Sequence, residues 1–231
     1  VIAQATAASS PNRPLLERNS AEAGEDYANS GLAAARGPTG SEVRPVAKFY
    51  RTLTRELVEF IERQKIFFTA TAPSGDGRIN LSPKGYDTFR VLGEREVCYL
   101  DFAGSGNETA NHIRENGRIT FMWCSFDTRP LILRVYGYGE LVERDDPRYF
   151  GMMERLFPAY DPHTVRRIVL ARVESAQTSC GWGVPLFEYR GDRKALAEWS
   201  RATHEKGELE AYIETNAARA DEKFPLERPA S

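Results

Sequence analysis

From Lys48 onward, hydrophobic positions recur with two rhythms, one helical and one alternating. Leu53, Leu57, Val58, Phe60 and Ile61 share one face of a helix over 51–64, with Thr52 or Thr54 as its cap. The β-prone run 66–72 follows, and Pro73-Ser74-Gly75-Asp76-Gly77 turns it into a second strand over 78–84. Pro83 cannot donate a ladder hydrogen bond, so that strand is expected to break or bulge there. Strand patterns continue over 96–102, 118–126, 131–143 and 165–179, with Ile119, Phe121 and Trp123 on one face. Gly137 and Gly139 predict strong bending or close backbone approach. Helices are expected over 107–115, stopped by Asn116-Gly117, and from Asp145-Asp146-Pro147 to about Phe157. The period becomes helical again over 192–219 (Leu196, Trp199, Leu209, Tyr212, Ile213), with Gly207 as a break. Six or more antiparallel strands with short hairpins predict a mainly β fold, a closed or split barrel with helices at its rim.

Residues 1–45 do not share these rhythms. They are rich in Ala, Ser, Gly, Pro and Asn and read as a disordered leader, with a partner-binding arm as the less favoured alternative. They lack the apolar run of a signal peptide, and Glu17, Glu22, Glu25 and Asp26 argue against a transit peptide. The expected organisation is therefore a leader over 1–45, a barrel over 46–190 and a C-terminal helical extension and tail over 191–231.

Composition narrows the function classes. Of 231 residues 41% are apolar and 28% charged, an ordinary globular balance that supports one sizeable core. A net charge of −2 gives no basic field for nucleic acid, and no apolar run is long enough to span a membrane. Cys98, Cys124 and Cys180 form no CxxC pair and no disulfide framework, which fits a reducing, cytoplasmic setting and small core residues. His112, His163 and His204 lack metal-ligand spacing, and His112 reads as part of a solvated helix face.

Candidate chemistry sits in two polar stretches. On the strand 78–84 the period of two places Arg78, Asn80, Ser82 and Lys84 on one face and Ile79 and Leu81 on the other. Gly104-Ser105-Gly106-Asn107-Glu108-Thr109 follows a strand and opens a helix, where backbone N–H groups and the helix dipole favour an anion. Both stretches are expected to converge on one phosphate, although Ser105, Asn107 and Thr109 also suit helix capping and Arg78 suits plain surface. Trp123 fits core packing at least as well as a ligand, whereas Trp182, between two glycines, fits a cleft or interface. Arg134, in an apolar strand, calls for an acidic partner or a ligand. No Ser-His-Asp or Cys-His pairing is legible, so no catalytic acid or base is named.

With these residues placed, the chain resembles the pyridoxamine 5′-phosphate oxidase-like, FMN-binding split-barrel family. The resemblance covers about 46–220. It rests on Ala47-Lys48-Phe49-Tyr50, Phe67-Phe68-Thr69-Ala70-Thr71-Ala72, Asn80-Leu81-Ser82-Pro83-Lys84-Gly85 leading to Asp87-Thr88-Phe89-Arg90-Val91, Gly104-Ser105-Gly106-Asn107-Glu108-Thr109-Ala110, and Cys180-Gly181-Trp182-Gly183-Val184-Pro185. The family implies a six-stranded antiparallel split barrel and a homodimer with FMN in the clefts between subunits. Carried onto this chain, it implies phosphate contacts from Ser82, Lys84, Ser105, Gly106, Asn107 and Thr109, flanked by Arg78 and Asn80, with Lys84 as the main charge. Trp123 and Trp182 are then expected against the flavin ring. The true oxidases hold the vitamin's phosphate with an Arg and a His near the C-terminus; here that region reads Tyr189-Arg190-Gly191-Asp192-Arg193-Lys194-Ala195, without His. The implied function is an FMN-dependent oxidoreductase acting on a small molecule other than pyridoxamine phosphate. A flavin carrier or sensor without turnover, and a barrel using a deazaflavin, stay open beside it.

Overall fold

The computed structural model describes residues 47–217; the expected leader and the tail beyond 217 lie outside them. Eight strands form one antiparallel sheet: β1 (Lys48–Tyr50), β2 (Phe67–Thr71), β3 (Asn80–Lys84), β4 (Phe89–Gly93), β5 (Glu96–Phe102), β6 (Arg118–Cys124), β7 (Ile132–Glu143) and β8 (Val165–Ser179). The sheet order is β3-β2-β6-β7-β8-β5-β4, and β1 pairs with the far end of β8. The helices are α1 (Arg55–Arg63), α2 (Glu108–Asn116), α3 (Tyr149–Leu156), α4 (Ala195–Glu205) and α5 (Leu209–Thr215).

Two strands exceed the six expected, β1 and β4. The sheet curls until its ends meet, giving the split barrel. Phe67 of β2 lies 5.0 Å from Phe89 of β4 and 5.6 Å from Tyr99 of β5, ring to ring, and stacks on Trp123 of β6 at 6.0 Å. Phe121 completes this aromatic cluster. Each edge-to-face pair adds about 1 kcal/mol beyond the area it buries. Leu57, Phe60 and Ile61 close the same core from α1, as their helical spacing predicts, and Leu53 joins them from just before the helix.

Pro83 neither breaks nor bulges β3, because Phe68 pairs with Pro83 and Phe67 with Lys84 in unbroken register. β3 ends the sheet order, and an edge strand tolerates a residue without an N–H donor. The kink lies instead at Tyr136/Gly137 in the β7–β8 ladder. A Cβ at Gly137 would stand 2.3 Å from the Arg172 carbonyl oxygen, so the close approach requires glycine there. Gly117, at φ 72°, ends α2 in the left-handed conformation.

Candidate functional site

β3 turns its polar face inward. Asn80, Ser82 and Lys84 are half-buried, while Ile79 and Leu81 point to solvent at 77% and 63% exposure. Asn80 ties this face to α2: its Nδ2 donates to Thr109 Oγ1 at 2.9 Å and to Thr71 Oγ1 at 3.3 Å. Ser82 Oγ donates to Asn80 Oδ1 at 2.9 Å. Thr71 Oγ1 also meets His112 Nδ1 at 2.9 Å, so His112 is a buried member of this network at 2% exposure and not part of a solvated face. The two polar stretches thus meet through Asn80 and Thr109.

Behind them lies an ionic cluster. Lys84 Nζ bonds Asp101 Oδ1 at 3.0 Å, and Asp101 Oδ2 lies 3.9 Å from Arg167 Nε. Arg167 reaches Glu143 at 3.2 Å, and Arg114 reaches the same carboxylate at 2.6 Å. Burial works against ionisation of Asp101, yet the charges of Lys84, Arg166 and Arg167 prevail and hold its carboxyl below the ordinary value. Lys84 was expected to be the main charge for a phosphate; in this structure its charge is matched by Asp101.

The loop Gly104–Asn107 joins β5 to α2 and rests on Arg166 of β8. That guanidinium donates to Gly104 O at 2.5 Å, Gly106 O at 2.8 Å and Asn107 Oδ1 at 3.1 Å. Asn107 Nδ2 and Asn111 Nδ2 both donate to Ala217 O, at 3.3 and 3.1 Å, so the chain past α5 closes over the same loop. Asn107 stands at the N-cap position without a side-chain capping bond, because its amide is engaged by Arg166 and Ala217.

Of the expected site residues, Asn80, Ser82, Lys84, Asn107 and Thr109 come together, with Ser105 and Gly106 exposed on the loop above them. Arg78 is exposed and precedes β3. Trp123 is not available to a ligand: it is 1% exposed and packs with Phe67, Phe89 and Phe121. Trp182 is 78% exposed on its turn, with no ring or hydrogen-bond partner among the described residues. Among the described residues Arg134 finds no acid; its Nη1 donates to Ser179 Oγ at 3.3 Å. Cys98 lies in the core, where burial pushes its thiol up to about 12 and makes it unreactive. Asp101, Arg166 and Arg167 escaped sequence reasoning. Their signal was a carboxylate inside Leu100-Asp101-Phe102 and paired arginines heading the apolar run Ile168-Val169-Leu170.

A groove of about 300 Å³ continues outward from Thr71 across β6 and β7, walled by Ile79, Arg118, Thr120, Tyr136 and Glu174. Among the described residues no cluster of three metal-ligating side chains occurs, and no helix is long and apolar enough to cross a membrane.

Comparison with known proteins places this geometry in a family. The chain is 38% identical over 178 residues to the pyridoxamine 5′-phosphate oxidase family protein ustO of Aspergillus flavus, covering 71% of each chain. Among solved structures it resembles HupZ of Group A Streptococcus, at 19% identity over 52% of this chain and 89% of that one, with a TM-score of 0.43. It also resembles an FMN-binding protein of Syntrophomonas wolfei, at 15% identity over 58% and 90%, with a TM-score of 0.39. The sequence profile described as pyridoxamine 5′-phosphate oxidase matches residues 53–180, more than half of the chain. With that match and the ustO identity, the chain belongs to the pyridoxamine 5′-phosphate oxidase family.

Proposed function

We propose that this protein binds FMN and works as an FMN-dependent oxidoreductase on a small molecule, as a homodimer with the cofactor between subunits. One observation carries the reading: the inward polar face of β3 meets the N-terminus of α2, through Asn80 and Thr109, 2.9 Å apart. Strand hydroxyls and amides and the free N–H groups of a helix start then face one place, which suits a phosphate. Asn80, Ser82, Ser105, Gly106 and Thr109 would hold the phosphate end, with Lys84 as a further donor. The exposed Ile79 and Leu81 on the opposite face of β3 suit a second copy of the chain. When bound, the flavin supplies hydride or electron transfer, and the protein's part is to orient it and exclude water.

Lys84, Asp101, Arg167 and Glu143 are paired with one another, and His112 is held by Thr71. That pairing favours, as a second reading, a flavin carrier or sensor whose residues bind but do not exchange protons. The purified protein is expected to show a flavin absorbance spectrum and to release FMN on denaturation, identified by mass. Oxidation of a nicotinamide donor under multiple turnover then separates enzyme from carrier. A colourless protein that also fails to take up added FMN would overturn both readings.

A further inference from the structure

Among the described residues, Arg166 is a buried cation whose hydrogen-bonding partners are all neutral. It is 3% exposed, and its acceptors are two backbone carbonyls and one side-chain amide. Its Nε has no hydrogen-bond partner among the described residues. Asp101 feels its charge, but pairs directly with Lys84 and Arg167. A guanidinium in this position is costly unless a negative charge comes close to it.

The geometry of the loop says where that charge belongs. The peptide bonds are trans, so each N–H points opposite to the carbonyl of the same plane. Gly104 O and Gly106 O turn inward onto Arg166. The N–H groups of Ser105 and Asn107 therefore turn away from it, outward, beside the first N–H groups of α2. Arg166 thus fixes a loop whose donors face out and sets a positive charge directly beneath them. The Glu108 carboxylate folds back over this mouth, so near that a Cβ on Gly106 would lie 2.5 Å from Oε2. It occupies ground that an incoming anion must take.

We infer that Arg166 is the positioning residue for the cofactor's phosphate and supplies, through the loop, the charge that Lys84 gives to Asp101. This rests on the flavin reading above. The test compares FMN with riboflavin, which carries the same ring and no phosphate. Dissociation constants are measured by flavin fluorescence for the full chain and for Arg166→Gln and Arg166→Lys. Wild type is expected to prefer FMN. Arg166→Gln should lose at least tenfold in FMN affinity and keep riboflavin affinity within twofold. Arg166→Lys keeps the charge but loses the fork, so its FMN affinity should fall less, by at least threefold, with riboflavin again unchanged. It carries the test if Arg166→Gln does not fold. Unchanged FMN affinity would overturn the inference, as would a parallel loss of both flavins, which marks a merely structural arginine. A wild type that binds neither flavin would refute the flavin reading and this inference with it.

Discussion

Replacing Asp101 by Asn removes the carboxylate that joins β5 to Lys84 of β3 and Arg167 of β8. The separations are 3.0 and 3.9 Å. At an effective dielectric of about 20 they correspond to about 5 and 4 kcal/mol of attraction, most of which desolvation cancels. Deleting one partner is a different quantity, because it strands the remaining charges, and typically costs about 3–5 kcal/mol. Two features favour the low end. The Lys84 side chain is 24% exposed and can turn to water, and Arg167 keeps Glu143 at 3.2 Å. We expect a loss of about 3 kcal/mol, which at a urea slope of about 2 kcal/mol per molar lowers the midpoint by about 1.5 M. The pH dependence has a definite sign. The folded-state carboxyl lies below its ordinary value, so its stabilisation is complete above the unfolded value of about 3.9 and is lost as pH falls through the folded one. The gap between wild type and Asp101→Asn should be constant from about pH 7 to 5 and close below about pH 4. A midpoint shift under about 0.3 M at neutral pH, or a gap that persists in acid, would refute the picture of a buried ionic node.

Two further predictions concern the cofactor. Glu108→Gln removes a like charge from the loop mouth and should tighten FMN binding about threefold by calorimetry, at a cost of about 0.5 kcal/mol in stability, since an acid is lost from the first turn of α2; weaker binding would show that Glu108 helps the site. Ile79→Ser with Leu81→Ser should halve the mass seen by ultracentrifugation and release the flavin, with little change in subunit stability, because both side chains are exposed. An unchanged mass would move the dimer face elsewhere.

Much of the fold was legible from local pattern. The strand expected over 165–179 is β8 to the residue, and Ile119, Phe121 and Trp123 point inward as their period of two requires. β4 was not, since its five residues are all half-buried and show no alternation. His112 was misplaced because a polar residue on a short helix reads as solvated, whereas Thr109, Ala110, His112 and Ile113 together form the buried face of α2. The convergence of β3 with the α2 turn was legible because each stretch carries its chemistry locally. Arg166 was not, because its partners lie some sixty positions earlier in the chain. Lys84 was recognised as a site residue, but its pairing with Asp101 is a tertiary fact that no spacing reveals.

The sheet order also sets when the protein can become itself. Among the described residues, β8 is the only strand that joins the hairpin β4–β5 to the ladder β3-β2-β6-β7. It is also the last strand of the described residues to leave the ribosome, and it brings Arg166 to a loop made long before it. A nascent chain that stops short of β8 therefore holds two unjoined pieces of sheet, with exposed strand edges for a holding chaperone to cover. Closure depends on pairings distant in sequence, so it should be the slow step of folding. On the proposed flavin reading, cofactor capture follows closure, and a cell short of flavin would accumulate a closed apoprotein rather than an unfolded chain.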